Sequence, residues 1–215
     1  MRITIFGATG QIGKLLVKQA LDEGYHVVAY ARDASKLADL KNPRLTIVKG
    51  ELNNPKLIEE AVMGSDAVLS MLGPAMTNKV ADMPVAEGTQ NIVNAMKKYS
   101  VTRLIAIGTP SSIPDPKNDK FTLLIKFIRV FVKYTMANAF YEFDRIGDII
   151  QKSGLDWTII RFLQPTDESK KGNVKHGFVG TIKLGMKTTR ADIADFALKQ
   201  VTDNTYIGKM PAISN

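Results

Sequence analysis

The sequence predicts an α/β protein, a doubly wound parallel sheet with helices on both faces. Short apolar runs alternate with segments of helical periodicity, and the runs are apolar at consecutive positions rather than at every second one. Such runs are typical of parallel strands that helices cover on both sides. At 215 residues the chain can bury a substantial core, and we expect a single domain over 1–215.

The predicted elements follow one another in regular order. Strands are predicted at Arg2–Phe6, His26–Tyr30, Leu45–Val48, Asp66–Met71, Arg103–Ile107 and Trp157–Arg161. Helices are predicted at Ile12–Glu23, Leu57–Val62, Glu87–Lys98 and 190–200, with a short one after Asp33, and Ile146–Gln151 is predicted to be the end of a further helix. Gly24 is the expected end of the first helix, and Thr189 is expected to cap the last one together with Asp192. Two variable segments, 111–150 and 164–188, break this rhythm.

Composition excludes most metal and thiol chemistry. The chain has no cysteine and only two histidines, His26 and His176, so we expect no metal site. The charge is unusual, because 29 basic and 21 acidic residues leave a net charge of +8. That excess suits a nucleic-acid binder, a membrane-surface binder or an enzyme for anionic ligands. No nucleic-acid motif, leader peptide or apolar run of membrane-spanning length is present, so we expect a cytoplasmic protein without nucleic-acid partners.

A glycine loop is the strongest motif. The segment Gly7-Ala-Thr-Gly10-Gln-Ile-Gly13 follows the first strand and opens the first helix. Gly7 permits the tight turn, Gly10 lets the backbone approach a pyrophosphate, and Gly13 lets the helix pack closely. The amino end of the helix favours a bound anion. The sequence therefore predicts a Rossmann-like, NAD(P)-binding fold.

The end of the second strand predicts which dinucleotide is bound. An acidic residue there would bind a ribose 2′-hydroxyl, whereas an arginine would accept a 2′-phosphate. Arg32 occupies this position, with Lys36 one helical turn further on and Asp33 between them as a candidate helix cap. We therefore expect NADP(H) to be preferred over NAD(H), the alternative being that Arg32 is a solvated surface charge.

Catalytic residues are harder to assign. Carbonyl reductases with this glycine spacing use a tyrosine and a lysine four residues later, and none of the six tyrosines here has that lysine. The nearest match is Tyr141 with Arg145, but an arginine holds its proton and does not replace the lysine. Tyr141 is thus a weak candidate proton donor, and an ordinary tyrosine on a helix face is the favoured alternative.

Taken together, these motifs resemble the atypical short-chain dehydrogenase/reductases that include biliverdin-IXβ and flavin reductases, within the wider NmrA-like group. The matching stretches are IFGATGQIG at 5–13, YARDASKL at 30–37, VKGELNN at 48–54, DAVLSMLG at 66–73, EGTQNIVNAMK at 87–97, SGLDWTIIR at 153–161 and RADIADFAL at 190–198. The resemblance weakens in the two variable segments, which would lie on the substrate side. It implies hydride transfer to a flavin such as FMN or to a similar conjugated acceptor, a small molecule; the alternative is a non-catalytic NADP(H)-binding redox sensor.

The resemblance also implies a set of cofactor-binding residues. They are Gly7, Thr9, Gly10, Gln11, Ile12 and Gly13 at the pyrophosphate, Arg32 and Lys36 at the 2′-phosphate, Glu51 and Leu52 at the adenine, Leu72, Gly73 and Pro74 at the nicotinamide ribose, and Thr109, Phe162, Leu163 and Gln164 at the nicotinamide ring. Thr109 would position the carboxamide or the acceptor, unless its hydroxyl only bonds local backbone. Glu51 and Phe162 depart from the family, which more often has Gly-Asp and Arg-Pro at these two places.

The positive charge is concentrated in two segments. Lysines 170, 171, 175, 183 and 187 with Arg190 would form either a basic rim that attracts anionic ligands or a solvated surface. Segment 121–136 places Lys126, Arg129 and Lys133 on one helical face among apolar residues. Three interpretations of this segment stay open: a helix that covers the active site or core, a subunit interface that makes an oligomer, and an interfacial membrane helix.

Overall fold

The computed structural model describes residues 1–79, 82–120 and 123–215. Its strands are β1 (Arg2–Phe6), β2 (His26–Ala31), β3 (Leu45–Lys49), β4 (Ala67–Ser70), β5 (Arg103–Gly108), β6 (Asp156–Arg161), β7 (Gln164–Thr166), β8 (Lys175–Gly177), β9 (Lys187–Thr189) and β10 (Ala212–Ser214). Eight of them form the main sheet in the order β3-β2-β1-β4-β5-β6-β10-β8, and β7 pairs with β9. Strands β1 to β6 and β10 run parallel, and β8 joins β10 antiparallel at the edge.

The helices are α1 (Gln11–Asp22), α2 (Pro55–Val62), α3 (Pro84–Lys98), α4 (Leu123–Thr135), α5 (Ala137–Gln151) and α6 (Arg190–Lys199), with a 3-10 helix at Ala34–Leu37. Side-chain caps fix several of their starts. Asn54 accepts a hydrogen bond from the Leu57 amide, and Thr189 accepts one from the Asp192 amide. Pro55 and Pro84 occupy the first helical positions, where a missing N–H costs nothing. Among the described residues, no helix combines the length and the apolar character needed to cross a bilayer.

Hydrophobic clusters cover both faces of the sheet. On one face, Ile3 and Ile5 of β1 pack in a buried cluster with residues of α1 and α6. On the other face, Phe6 joins a second cluster with residues of α2, α3 and α5. This two-sided burial is the reason why the strands are apolar at consecutive positions. The predicted fold class is therefore confirmed.

The structure extends the predicted elements in three places. Helix α5, whose end is predicted at Ile146–Gln151, begins at Ala137, and α2 and α3 begin two and three residues earlier than predicted. Segment 164–188, which has no clear periodicity, contains the short strands β7 and β8 and the start of β9. Strand β10 near the end of the chain was not predicted. The predicted helical segment 121–136 is observed as α4 from Leu123, and its positions 121–122 lie outside the described residues.

Candidate functional site

Most of the predicted cofactor-binding residues follow strands of the parallel sheet at one edge, whereas Lys36 lies in the 3-10 helix, Gln164 in β7 and the candidate proton donor Tyr141 on α5. In sheet order, Glu51 and Leu52 come after β3, Arg32 after β2, the glycine loop after β1, Leu72 after β4, Thr109 after β5 and Phe162 after β6. The strand order reverses direction between β1 and β4, which leaves a crevice at the carboxyl ends of these two strands. In open α/β sheets, ligands bind at this kind of reversal.

The glycine loop is closely packed on its own backbone. Gly7 has φ +73°, and a Cβ atom there would lie 2.7 Å from the carbonyl oxygen of Met71 at the end of β4. A Cβ atom on Gly13 would lie 2.1 Å from the carbonyl oxygen of Gly7. The Gly10 amide donates a hydrogen bond to the same oxygen at 3.0 Å. The three glycines therefore allow α1 to begin directly behind the turn after β1.

The amino end of α1 is open toward the crevice. Gly10 is the N-cap residue and supplies no side-chain cap, and the first turn of α1 contains no acidic residue. Thr9 and Ile12 are half-buried, whereas Gln11 is exposed. The first amides of α1 consequently present a positive dipole end that no carboxylate neutralises, which suits a phosphate group.

Arg32 and Lys36 lie at the predicted 2′-phosphate position. Both side chains are exposed, and no ion pair or hydrogen bond links Arg32 to another residue in the described ranges. Asp33 between them is the N-cap of the 3-10 helix, because its carboxylate accepts hydrogen bonds from the amide and hydroxyl of Ser35. These bonds lower the pKa of Asp33. The interpretation of Asp33 as a helix cap is confirmed.

A tyrosine fixes the loop after β3 beside the end of β2. The Tyr30 hydroxyl donates a hydrogen bond to the Glu51 carbonyl oxygen at 2.7 Å, and Asn91 of α3 donates to the Leu52 carbonyl oxygen at 2.9 Å. Burial, with a smaller effect of the Glu51 charge, raises the pKa of Tyr30 to about 12. The hydroxyl therefore keeps its proton at neutral pH and holds Glu51 and Leu52 near Arg32.

Thr109 and Phe162 follow the adjacent strands β5 and β6. The Phe162 amide donates to the Gly108 carbonyl oxygen at 3.3 Å, which brings the end of β6 beside the residue that precedes Thr109. The Thr109 hydroxyl lies 2.9 Å from the Ser111 hydroxyl, so its local partner is a side chain rather than the backbone. Leu72 is half-buried, Gly73 is exposed and Pro74 is buried after β4. Gln164 lies in β7, where its backbone amide donates a hydrogen bond to the Met186 carbonyl oxygen.

An apolar cavity of about 300 Å³ opens next to Thr109 and Phe162. Residues after two strands line it, namely Pro110 and Ser111 after β5 and Phe162 and Leu163 after β6. The remaining lining residues are Ile128 of α4, Arg161, Val179, Gly180, Ile182, Lys183, Leu184, Gly185, Met186, Ala212 and Ile213. Residues of both variable segments and of the end of the sheet therefore line the cavity.

A buried ion pair holds the wall of this cavity. Arg161 donates two hydrogen bonds to the Asp119 carboxylate, at 2.6 and 2.8 Å, and both side chains are fully shielded from solvent. Arg161 also donates to the Ile113 and Met210 carbonyl oxygens. The Asp119 carboxylate accepts from the amides of Val179 and Asp115 as well. One pair therefore joins β6 to both variable segments. The prediction missed it, although acidic residues in 111–119 facing a strand-end arginine were a usable signal.

Tyr141 does not join the cavity. Of the described residues that line it, none is a tyrosine. The Tyr141 side chain is 38% exposed on α5, with the Lys133 ammonium 5.6 Å from its ring centre. This placement favours the interpretation of Tyr141 as a helix-surface tyrosine.

Part of the predicted basic rim is neutralised. Lys170 pairs with Asp195, Lys171 with Glu168, and Arg190 with Asp167. Lys183 lines the cavity. Charge in this segment is therefore locally balanced at three of its six basic positions, and a cation remains at the cavity itself. No group of three histidine or acidic side chains able to hold a metal occurs within residues 1–79, 82–120 and 123–215.

The chain matches a known protein family over most of its length. A family model described as NAD(P)H-binding matches residues 7–204. The photosystem II assembly factor Ycf39 of Synechocystis sp. is 30% identical over 118 residues, which cover 54% of this chain and 36% of that protein. The chain spans about a third of the length of the first curated relatives that it matches.

Solved structures share the fold over the whole chain. An NADP complex of a wide-type short-chain dehydrogenase/reductase from Veillonella parvula has a TM-score of 0.78 at 20% identity and covers 100% of this chain and 94% of its own. ChuY, described as an anaerobillin reductase from Escherichia coli O157:H7, has a TM-score of 0.79 at 17% identity, with 100% and 97% covered. The similarity to short-chain dehydrogenase/reductase structures agrees with the resemblance seen in the motifs.

Proposed function

Because the chain belongs to the NAD(P)H-binding family, we propose that it is an NADP(H)-dependent reductase whose acceptor is a flavin or a similar conjugated ring. The apolar cavity carries this proposal. It opens at the ends of β5 and β6, beside Thr109 and Phe162, where the nicotinamide ring is expected. An acceptor in the cavity would therefore lie against the reactive end of the cofactor.

The glycine loop fits a dinucleotide pyrophosphate. A Cβ atom at Gly10 would lie 3.3 Å from the Gly7 carbonyl oxygen, and any side chain there would extend into the open end of α1. Arg32 and Lys36 would pair with the 2′-phosphate, and the loop held by Tyr30 would flank the adenine. Bound in this way, NADPH would supply a hydride from its reduced nicotinamide ring.

The residues of this chain would then position the cofactor and the acceptor rather than transfer a proton. The apolar walls of the cavity exclude water and hold a flat ring, and the Thr109 hydroxyl orients a polar group near the nicotinamide end. A flavin delocalises the electrons that it accepts and takes its proton from solvent. The absence of a tyrosine from the described lining suits such an acceptor better than an isolated carbonyl group.

Substitution of Leu184 tests the acceptor site. Leu184 is half-buried in the lining, so Leu184→Glu would place a carboxylate against the acceptor ring. We expect the KM for riboflavin to rise at least tenfold, which corresponds to a loss of roughly 1.4 kcal/mol or more of binding free energy. The Kd for NADPH should stay unchanged within about twofold. Leu184→Met serves as the matched control because it preserves volume and polarity. An equal loss of NADPH binding, or no change in the riboflavin KM, would contradict the assignment of this cavity.

A non-catalytic NADP(H) sensor is the second candidate. It is favoured by the same lack of a tyrosine in the described lining. The two candidates differ in turnover, since a sensor binds NADPH without oxidising it in the presence of any acceptor.

Three other expectations stay predictions. They are the single-domain organisation, the cytoplasmic location, and the lack of nucleic-acid partners. Association through segment 121–136 also stays a prediction, and the surface of α4 gives a more specific hypothesis.

A further inference from the structure

Helix α4 presents a row of large apolar side chains to solvent. Phe127 is 73% exposed, Phe131 is 65% exposed and Tyr134 is 78% exposed, with Val130 between them at 54%. Their spacing of three, four and seven positions places them on one face of the helix. Contiguous exposed apolar patches of this kind mark contact sites on protein surfaces.

The opposite side of α4 faces the body of the protein. Ile128 lines the cavity, and the Arg129 guanidinium lies 5.3 Å from the Phe140 ring centre on α5. The inner side therefore already has partners, whereas no described residue covers the outer face.

The charge around this face indicates what covers it. From Lys120 to Tyr141 the chain carries four basic residues and no acidic residue, in a protein with a net charge of +8, and one of the four, Arg129, faces α5 rather than the outer face. Lys133 is exposed next to the apolar row. A second copy of the chain would bring the same basic helix against this one, which is unfavourable. The headgroups of an anionic bilayer are complementary to it.

We propose that the outer face of α4 binds the surface of an anionic phospholipid bilayer. An amphipathic helix with Phe and Tyr on one side and basic residues beside them can lie in the interface, with its apolar side chains among the acyl chains. The helix does not cross the bilayer, and the binding does not depend on the acceptor of the proposed reaction.

Vesicle flotation of the full chain tests this proposal. Vesicles of equimolar phosphatidylcholine and phosphatidylglycerol should carry the protein, whereas phosphatidylcholine alone should bind it at least tenfold less, and high salt should release it. The double variant Phe127→Ser with Phe131→Ser should reduce binding at least tenfold. Met63→Ser, at an exposed apolar residue after α2, is the matched control and should bind as the unchanged protein does.

Charge is tested separately at Lys133. Lys133→Gln should weaken vesicle binding about fivefold, whereas Lys97→Gln on α3 should leave it unchanged within about twofold. The proposal is overturned if the protein fails to float with anionic vesicles or if the double serine variant binds equally well. It is also overturned if sedimentation velocity shows a dimer that the double variant dissociates, with no vesicle binding. Since the substituted side chains are exposed, unchanged thermal unfolding will show that the variants are folded.

Discussion

Arg32 follows β2 with an exposed guanidinium that has no partner among the described residues, so its role can be tested without disturbing the fold. We expect Arg32→Ala to weaken NADPH binding about tenfold to 100-fold, because a charge-assisted hydrogen bond contributes roughly 1.5–3 kcal/mol. The Kd for NADH should change less than about twofold. Arg44→Ala, at an exposed arginine before β3, is the control. Isothermal titration with both dinucleotides measures the difference, and equal losses would refute the 2′-phosphate assignment.

Asp192 shows how one buried carboxylate affects stability. It accepts hydrogen bonds from the amides of Lys171 and Gly172 and from the side chains of Thr189 and Asn215. Burial opposes ionisation, but these bonds prevail and lower the pKa of Asp192. The folded pKa lies below the unfolded value, so the stabilisation is present above pH of about 4 and is lost as the pH falls through the folded pKa.

Asp192→Asn should therefore lower the free energy of unfolding by about 1–3 kcal/mol at neutral pH. The cost should shrink under acidic conditions, where the original carboxylate is itself protonated. Urea unfolding at neutral and acidic pH measures both effects. Asp22→Asn breaks only an exposed pair with Lys18 and should cost less than about 0.5 kcal/mol. A cost for Asp192→Asn that is independent of pH would contradict the role of the charge.

A substitution at Tyr141 distinguishes flavin reduction from a carbonyl-reductase mechanism. Its ring lies near Lys133 of α4 and Phe140 of α5, and Tyr141 is not among the described residues that line the cavity. We expect Tyr141→Phe to keep kcat for flavin reduction within about twofold, because general acid catalysis typically contributes about 10²–10⁴-fold where it operates. Steady-state rates of NADPH oxidation decide this point. A loss of 100-fold or more would instead identify a carbonyl-reductase mechanism.

At the scale of elements, the Arg161–Asp119 pair links β6 to the two variable segments. Removal of the Asp119 carboxylate would leave the buried Arg161 charge uncompensated. We expect Asp119→Ala to lower the free energy of unfolding by about 3–5 kcal/mol in urea titrations. Lys152→Ala, which breaks the exposed pair with Asp148 on α5, should cost less than about 0.5 kcal/mol. Similar costs for the two variants would show that the pair does not hold the cavity wall.

Local patterns predict some elements well and others poorly. The runs Arg2–Phe6 and Arg103–Ile107 are buried on both faces, so their apolar composition identifies them as strands. Strands β7 and β8 have three residues each, too few for periodicity to be detected, and tertiary pairing stabilises them. The first half of α5 was not predicted. Buried Glu142 interrupts its apolar pattern, because this side chain faces inward to accept hydrogen bonds from the Val85 and Ala86 amides at the start of α3.

At the scale of the whole molecule, the edge of the sheet that we propose binds the cofactor could be predicted, and the cavity that we propose for the acceptor could not. The carboxyl ends of parallel strands share one edge, so residues after β1, β2 and β3 meet whatever the intervening segments do. The cavity depends on Ile128, Leu184 and Ile213, which lie far apart in the chain and carry no motif. Only tertiary packing brings these apolar side chains to the end of the sheet.

The most direct test of flavin reduction by this protein is a single-turnover reaction. The protein, saturated with NADPH, is mixed anaerobically with FMN or riboflavin while the absorbance of nicotinamide and flavin is followed together. If the protein is a flavin reductase, NADPH is oxidised and flavin is reduced at the same rate, at least 100-fold faster than without protein, as expected when position alone accelerates the reaction. Tight NADPH binding with no acceleration for any flavin would contradict flavin reduction and favour the sensor.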